Sequence, residues 1–185
     1  MSKRVFIIFI FIMAISSIID LYYNKEYQIE NDNMSIQLNI SERLNSDNNK
    51  VAYNPKLIEI TNLPKTNSYI ALFQVNNNDF GYAELVKGKN GKFKIRNFQV
   101  ELGLSLIDYQ EVDTGKINYV ILYGKNQYKM IDHILIESQY EDYRFTADVA
   151  NDEIFLRYDE VPSNIKYPYA VDRTYYDKDN NVIQW

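Results

Sequence analysis

Between residues 57 and 176 the apolar residues arrive in short runs, each cut off by Asn, Gly, Pro or clustered charge: 57–63, 69–75, 80–86, 93–100, 102–112, 117–123, 130–136, 143–149, 154–158 and 169–176. Most are of strand length and rich in β-branched and aromatic residues, and nothing beyond residue 45 carries a helical period of useful length. Short strands with regular turn signals predict an antiparallel sandwich or barrel, because a βαβ fold needs helices between its strands. The expected fold class is therefore all-β, with a β-sandwich-like body. A soft boundary at 113–116 divides it: residues 34–112 read as a β-meander half, and 113–185 as a sandwich half of immunoglobulin-like type. Whether the halves share a core is left open by the pattern.

Ahead of the strands, Met34, Ile36, Leu38 and Ile40 alternate with polar residues, which is strand spacing. Ile36, Ile40 and Leu44 are also four apart, so a short helix fits as well. The stretch 45–50, Asn-Ser-Asp-Asn-Asn-Lys, is a loop.

The first residues are different in kind. Lys3 and Arg4 precede an uncharged apolar run, 5–19, that ends at Asp20 and is followed by Leu21, Tyr22 and Tyr23. As a helix counted to Tyr23, the run is about 28 Å long, close to the roughly 30 Å of a bilayer's hydrocarbon core. Residues 1–23 are expected to form a signal anchor with the N-terminus in the cytoplasm and the rest of the chain outside, since positive charge stays inside. A cleaved signal peptide, giving a secreted protein, has the same layout, and Ala14 with Ser16 supplies its small-residue pattern. Residues 24–33 then read as a polar tether.

Composition excludes much. There is no cysteine and one histidine, which removes thiol nucleophiles, Cys-ligated zinc, iron–sulfur clusters, disulfides and all-histidine metal sites. No cofactor or metal is expected. From Glu137 to the end, 11 acidic residues stand against 5 basic ones, an imbalance that argues against nucleic acid as a partner.

Asn90-Gly91 is a strong turn signal, and a two-residue type I′ turn there fixes a register. One face then pairs Lys89 with Lys92, Lys87 with Lys94, Leu85 with Arg96 and Ala83 with Phe98; the other pairs Gly88 with Phe93, Val86 with Ile95, Glu84 with Asn97 and Tyr82 with Gln99. Lys87, Lys89, Lys92, Lys94 and Arg96 form a basic face that suits anionic lipid headgroups or envelope polymers, although edge lysines also serve simply to deter aggregation.

Other motifs favour turns over chemistry. Asp113-Thr114-Gly115 spells an aspartic-protease triplet, yet a polar hairpin with glycine in the left-handed position explains it. Asp177-x-Asp179-x-Asn181 opens like a calcium loop but has Val182 where glycine is needed. His133 sits in a strand-like run without a nucleophile nearby, so it reads as half-buried and structural. The 17 tyrosines, clustered at Tyr22-Tyr23, Tyr167-Pro168-Tyr169 and Tyr175-Tyr176, offer surfaces for glycans or peptides as well as strand stability.

The stretch 81–95, Gly-Tyr-Ala-Glu-Leu-Val-Lys-Gly-Lys-Asn-Gly-Lys-Phe-Lys-Ile, with Tyr-Val-Ile-Leu-Tyr-Gly-Lys-Asn at 119–126, resembles segments of uncharacterised small membrane-anchored extracytoplasmic proteins of Gram-positive bacteria. The closing 176–183 is similar to their C-terminal hairpins. The resemblance implies an anchor and an extracytoplasmic domain, and no activity. The expected function is thus a non-catalytic binding or interaction protein of the cell envelope. The partner is an anionic polymer or lipid, or another protein. The alternatives are a glycan-acting enzyme built on two carboxylates and a sensor or immunity-type protein contacting another membrane protein.

Overall fold

The structure, a computed structural model, describes residues 3–46, 52–76, 79–101 and 106–184, with backbone only for 3–7, 9 and 101. Most of the expected 45–50 loop, the start of the expected 102–112 strand and Trp185 lie outside the described residues.

Helix α1 (Lys3–Glu26) carries the apolar run and is about 36 Å long at 1.5 Å per residue. Ile8, Ile10, Phe11, Ile12, Met13, Ile18 and Leu21 on it are all exposed, and its last turn is bonded to the body through the Tyr23 carbonyl. Among the described residues, no helix is long and apolar enough to cross a membrane, so the structure does not by itself show the expected anchor.

The expected tether at 24–33 is not free. Tyr27 and Ile29 are buried, and Ile29 forms an antiparallel bridge with Phe93, its N–H donating to the Phe93 carbonyl at 3.0 Å and its carbonyl accepting from the Phe93 N–H at 2.7 Å. Helix α2 (Asn33–Leu44) follows, where alternation suggested a strand. Two forces decide for the helix. Asp32 caps it, its carboxylate accepting from the Ser35 N–H at 2.9 Å, and the four-residue spacing buries Ile36 and Ile40 while Met34 and Leu38 stay exposed.

Among the described residues, eleven strands then form three antiparallel sheets: β1 (Lys56–Asn62), β2 (Ser68–Gln74), β3 (Phe80–Lys87), β4 (Phe93–Glu101), β5 (Ile107–Asp113), β6 (Asn118–Lys125), β7 (His133–Ser138), β8 (Arg144–Asp148), β9 (Ile154–Glu160), β10 (Val171–Tyr176) and β11 (Val182–Ile183). The first sheet is the meander β1-β2-β3-β4, the second β5-β6-β9, and the third β11-β10-β7-β8. The all-β body is thus present, preceded by two helices.

Side-chain alternation stacks these parts into layers. On one face of the first sheet, Ala71, Phe73, Ala83, Leu85 and Phe93 pack against Ile36 and Ile40 of α2. On the other, Ile70, Leu72, Phe80 and Tyr82 meet Val112, Tyr119, Ile121, Tyr123 and Leu156 of the second sheet. Ile107, Leu122 and Phe155 from the second sheet's far face pack on Ile134, Ile136 and Ala147 of the third. The second sheet is therefore the middle layer. The boundary expected at 113–116 is its β5–β6 hairpin turn, and the two halves of the chain share a core.

One ion pair is set into the junction of the first two sheets. Glu84, 3% exposed, accepts from Arg96 through both carboxylate oxygens, the Nε contact being 2.9 Å. Arg96 also donates to the Ser68 hydroxyl and to the Thr114 carbonyl in the β5–β6 turn, each at 3.1 Å. The Glu84 partner raises the guanidinium's pKa further, and burial beside Glu84 pushes the Tyr82 phenol up to about 12. Arg96→Met should destabilise the protein by about 3 kcal/mol, because a buried carboxylate loses its partner, while Glu84→Gln/Arg96→Met recovers most of that loss. Urea melts of the three proteins check this; equal stability of both variants would show that the pair is not coupled.

Candidate functional site

The five cations of the basic hairpin are not gathered on one open face. The turn is not the two-residue type I′ expected. Gly88 N–H bonds to the Lys92 carbonyl at 2.8 Å and Gly91 N–H to the Gly88 carbonyl at 3.0 Å, with only Gly91 at positive φ, +82°. That is a three-residue loop with a bulge glycine, and it shifts the pairing by one. Lys87 faces Phe93, Val86 faces Lys94 and Leu85 faces Ile95, until a bulge at Glu84/Leu85 restores the expected register from Glu84 with Asn97 onward. A one-residue slip moves side chains to opposite faces, so Lys87 and Lys94 are separated.

What displaced the type I′ turn is visible around Asn90. Its Nδ2 donates to the Tyr23 and Tyr27 carbonyls at 3.2 and 3.1 Å, closing the last turn of α1, and its Oδ1 accepts from the Lys92 N–H. Gly88 makes room for Tyr27, whose ring a Cβ there would meet at 2.7 Å. The cations follow: Lys92 pairs with Glu30 at 2.6 Å, Lys94 with Glu26 at 3.5 Å and over the Tyr27 ring at 4.9 Å, Lys89 lies 5.9 Å from the Tyr23 ring, and Lys87 the same distance from Phe93. With Arg96 on Glu84, all five have partners within the chain.

Asp113-Thr114-Gly115 is a turn, with Asp113 accepting from Gly115 N–H at 2.7 Å and Gly115 at φ +76°. His133 stacks on Tyr176 with ring centroids 4.7 Å apart, and its Nδ1 lies 2.9 Å from Asp132. Among the described residues, no group of three or more acidic or histidine side chains is arranged to hold a metal.

At the Lys125 end of the middle sheet, three connections converge: the β6–β7 loop, the β8–β9 loop and the β10–β11 turn. Asn126, wholly buried, fastens the first to the second: its Nδ2 donates to the Ile131 and Val149 carbonyls at 2.7 and 2.9 Å, and its Oδ1 accepts from Ile131 N–H at 3.0 Å. Asp132 joins all three, its N–H bonding to the Tyr176 carbonyl at 2.8 Å and its carbonyl accepting from Val149 N–H at 2.9 Å. In the β10–β11 turn, the Asp177 carboxylate accepts from the Asp179 and Asn181 N–H groups, both at 2.9 Å, which lowers its pKa, with the Asn181 bond foremost.

This fastening has a cost. Between Asn126 and Ile131 the chain runs through Tyr128 and Lys129 at φ +58° and +53°, a region that side chains with a Cβ avoid. Strained non-glycine backbone persists where its surroundings over-determine it, and here it aims Tyr128 outward, 81% exposed, beside the exposed Met130. A hollow of about 480 Å³ lies between the loops, lined by Tyr128, Met130, Asp132, Ala150, Asp177 and Lys178. A wider groove of about 840 Å³ runs between α2 and the edge strand β4, lined by Glu26, Glu42, Arg43 and Lys94 among others, and its Ser46 and Val100 border stretches outside the described residues.

The sequence reading singled out none of Asn126, Tyr128 or Met130. A buried asparagine is not distinguishable from a loop asparagine by pattern, and a left-handed Tyr-Lys pair lacks the glycine that signals such backbone. The Asp177 turn was legible as a turn. Comparison with protein-family models, curated proteins and solved structures returned no match.

Asn126→Ala should cost about 3 kcal/mol, since it leaves the buried Ile131 N–H and two carbonyls without their partner. Hydrogen exchange of the Ile131 and Lys129 amides should accelerate ahead of the β6 amides; unchanged protection would show that Asn126 does not hold the loop.

Proposed function

We propose that this chain is a membrane-anchored, non-catalytic binding protein of the cell envelope, whose C-terminal sandwich presents the three-loop end to a protein partner. The observation that carries the reading is the convergence of three connections on an aromatic side chain held outward by strained backbone, over a hollow with polar rims. The strand order supports it. Taken alone, β5 to β11 place their first, second and fifth strands in one sheet and their seventh, sixth, third and fourth in the other. We infer an immunoglobulin-like sandwich, in which the second-to-third and sixth-to-seventh strand connections emerge together and in variable domains form the binding loops. Here those connections hold Tyr128 and Asp177. Tyr and Met supply large contact area at low conformational cost.

Binding is favoured over hydrolysis because both carboxylates lining the hollow are engaged. Asp177 accepts bonds from its own turn, and Asp132 lies against the His133 ring.

The anchor reading rests on the charge layout, Lys3 and Arg4 before the apolar run and Asp20 after it, and on a helix whose described apolar side chains as far as Tyr22 are exposed. Its last turn docks on the β3–β4 hairpin. That hairpin lies at the same pole as the β5–β6 turn, through Arg96 and Thr114, and β6 runs from there for about 26 Å to Asn126. The three loops therefore point away from the helix.

Two measurements test this. A photo-crosslinking residue at Tyr128, in the full chain in its native cells, should give one discrete protein adduct that the same residue at Lys56 does not; identical patterns from both positions would overturn the assignment. Protease added to wall-stripped cells should degrade the β domain, and full protection would overturn its placement outside.

A further inference from the structure

The opposite pole carries a second group of tyrosines that neither the core nor the loop end uses. Tyr140, in the β7–β8 turn, is 73% exposed; Tyr167 and Tyr169, in the β9–β10 connection, are 46% and 63% exposed. Their rings form a continuous row: Tyr140 to Tyr167 is 6.3 Å between centroids at 79°, and Tyr167 to Tyr169 is 6.1 Å at 86°. The row is set on a pinned backbone. The Glu141 carboxylate accepts from the Lys166 N–H, at 2.9 Å to each oxygen, and from the Tyr167 N–H at 2.8 Å, tying the two segments together. The Tyr109 hydroxyl donates to the Pro168 carbonyl at 2.7 Å, and Gln139 N–H to the Ala170 carbonyl at 2.9 Å. Little ordering entropy is left to lose when these rings are covered.

Their place in the fold says what covers them. The β9–β10 connection leaves the middle sheet where Val161 N–H bonds to the Asn118 carbonyl, at the start of β6. At that same end, Tyr119 donates to the Pro64 carbonyl, and Arg96 to the Thr114 carbonyl. The β3–β4 hairpin there is bonded through Asn90 to the last turn of α1. The tyrosine row and the exit of α1 thus share one pole, and Tyr22, exposed on α1, lies where an apolar helix would leave the hydrocarbon. Tyrosine suits that boundary because its ring is apolar and its hydroxyl stays wet.

We propose that Tyr140, Tyr167 and Tyr169 seat the β domain in the headgroup layer of the bilayer that holds α1. This rests on the anchor reading. Contact through aromatic rings does not draw on the local charge, which is mixed: Glu141, Asp142 and Glu160 share this pole with Lys166, and the hairpin lysines there already have partners in the chain. Seating through rings is insensitive to salt, unlike attachment by a basic patch. It also fixes the direction of the loop end, which would otherwise swing on the helix.

The test uses the full chain with its single tryptophan moved, Trp185→Phe/Tyr169→Trp, in phosphatidylcholine vesicles with or without lipid brominated high on its acyl chains. Flotation with the vesicles reports the anchor. Trp fluorescence should be lost in brominated vesicles, in high salt as in low, and should not be lost in the control Trp185→Phe/Tyr128→Trp at the far pole. Chain that floats but shows no loss at position 169, or equal loss at both positions, overturns the seating alone. Chain that does not float overturns both readings.

Discussion

The double burial of β6 is the constraint on which the rest of the structure depends. Every residue from Tyr119 to Gly124 is buried, which requires a strand to be covered on both faces, here by the first and third sheets. Tyr119, Ile121 and Tyr123 fill the space toward the meander, and Val120 and Leu122 fill the space toward the sandwich. One strand therefore belongs to two cores. Removing the meander would expose three aromatic or β-branched side chains in a row, so neither half of the chain is an independent module despite the turn-rich stretch between them.

This also explains which parts of the fold were legible in the sequence. Strand existence was, because each run alternates or is wholly apolar over strand length, and turn residues flank it; β2, β3, β6 and β9 fall where the pattern put them. The division at residue 113 came from the polar sequence Asp-Thr-Gly-Lys, which is a turn inside a sheet. Local composition cannot distinguish a hairpin from a linker, since both need the same residues. The segment 33–44 shows the other limit. Its polar-apolar alternation is real, but Asp32 offers a cap and Ile36 and Ile40 have a sheet face to cover, and tertiary burial outweighs a short alternating pattern.

The basic hairpin is instructive because its signal was sound and the outcome turned on one residue. Asn90-Gly91 fits a type I′ turn, which needs positive φ at both positions. Asn90 instead gives its side chain to the carbonyls that end α1, leaving Gly91 alone in the left-handed region. The register slips by one, and the lysines that would have lain across from each other find carboxylates and rings on the end of α1, on the chain just after it and, for Lys87, on β4 itself. Each exposed pair contributes on the order of 1 kcal/mol or less. Their combined effect is to hold residues 26–30 along the edge of β4, where an unpaired strand edge would otherwise invite association.

The loop end and the tyrosine row were legible only in pieces, the Asp177 turn and the Tyr167-Pro168-Tyr169 cluster, for a common reason: each is assembled from connections distant in sequence. Tyr128 sits in a loop fastened by Asn126, and Asn126 bonds to the Val149 carbonyl in a connection that leaves a different sheet. Tyr140 meets Tyr167 only because Glu141 reaches the amides of residues 166 and 167. Aromatic side chains exposed on pinned backbone are costly features for a domain to retain, since the same tyrosines buried in a strand pair would add to its stability. They lie at opposite poles, one at the end where α1 docks and one about a strand's length away from it, and on the proposed reading these are a bilayer-facing end and a partner-facing end. A rigid spacer between the two then follows from the continuous, doubly covered β6.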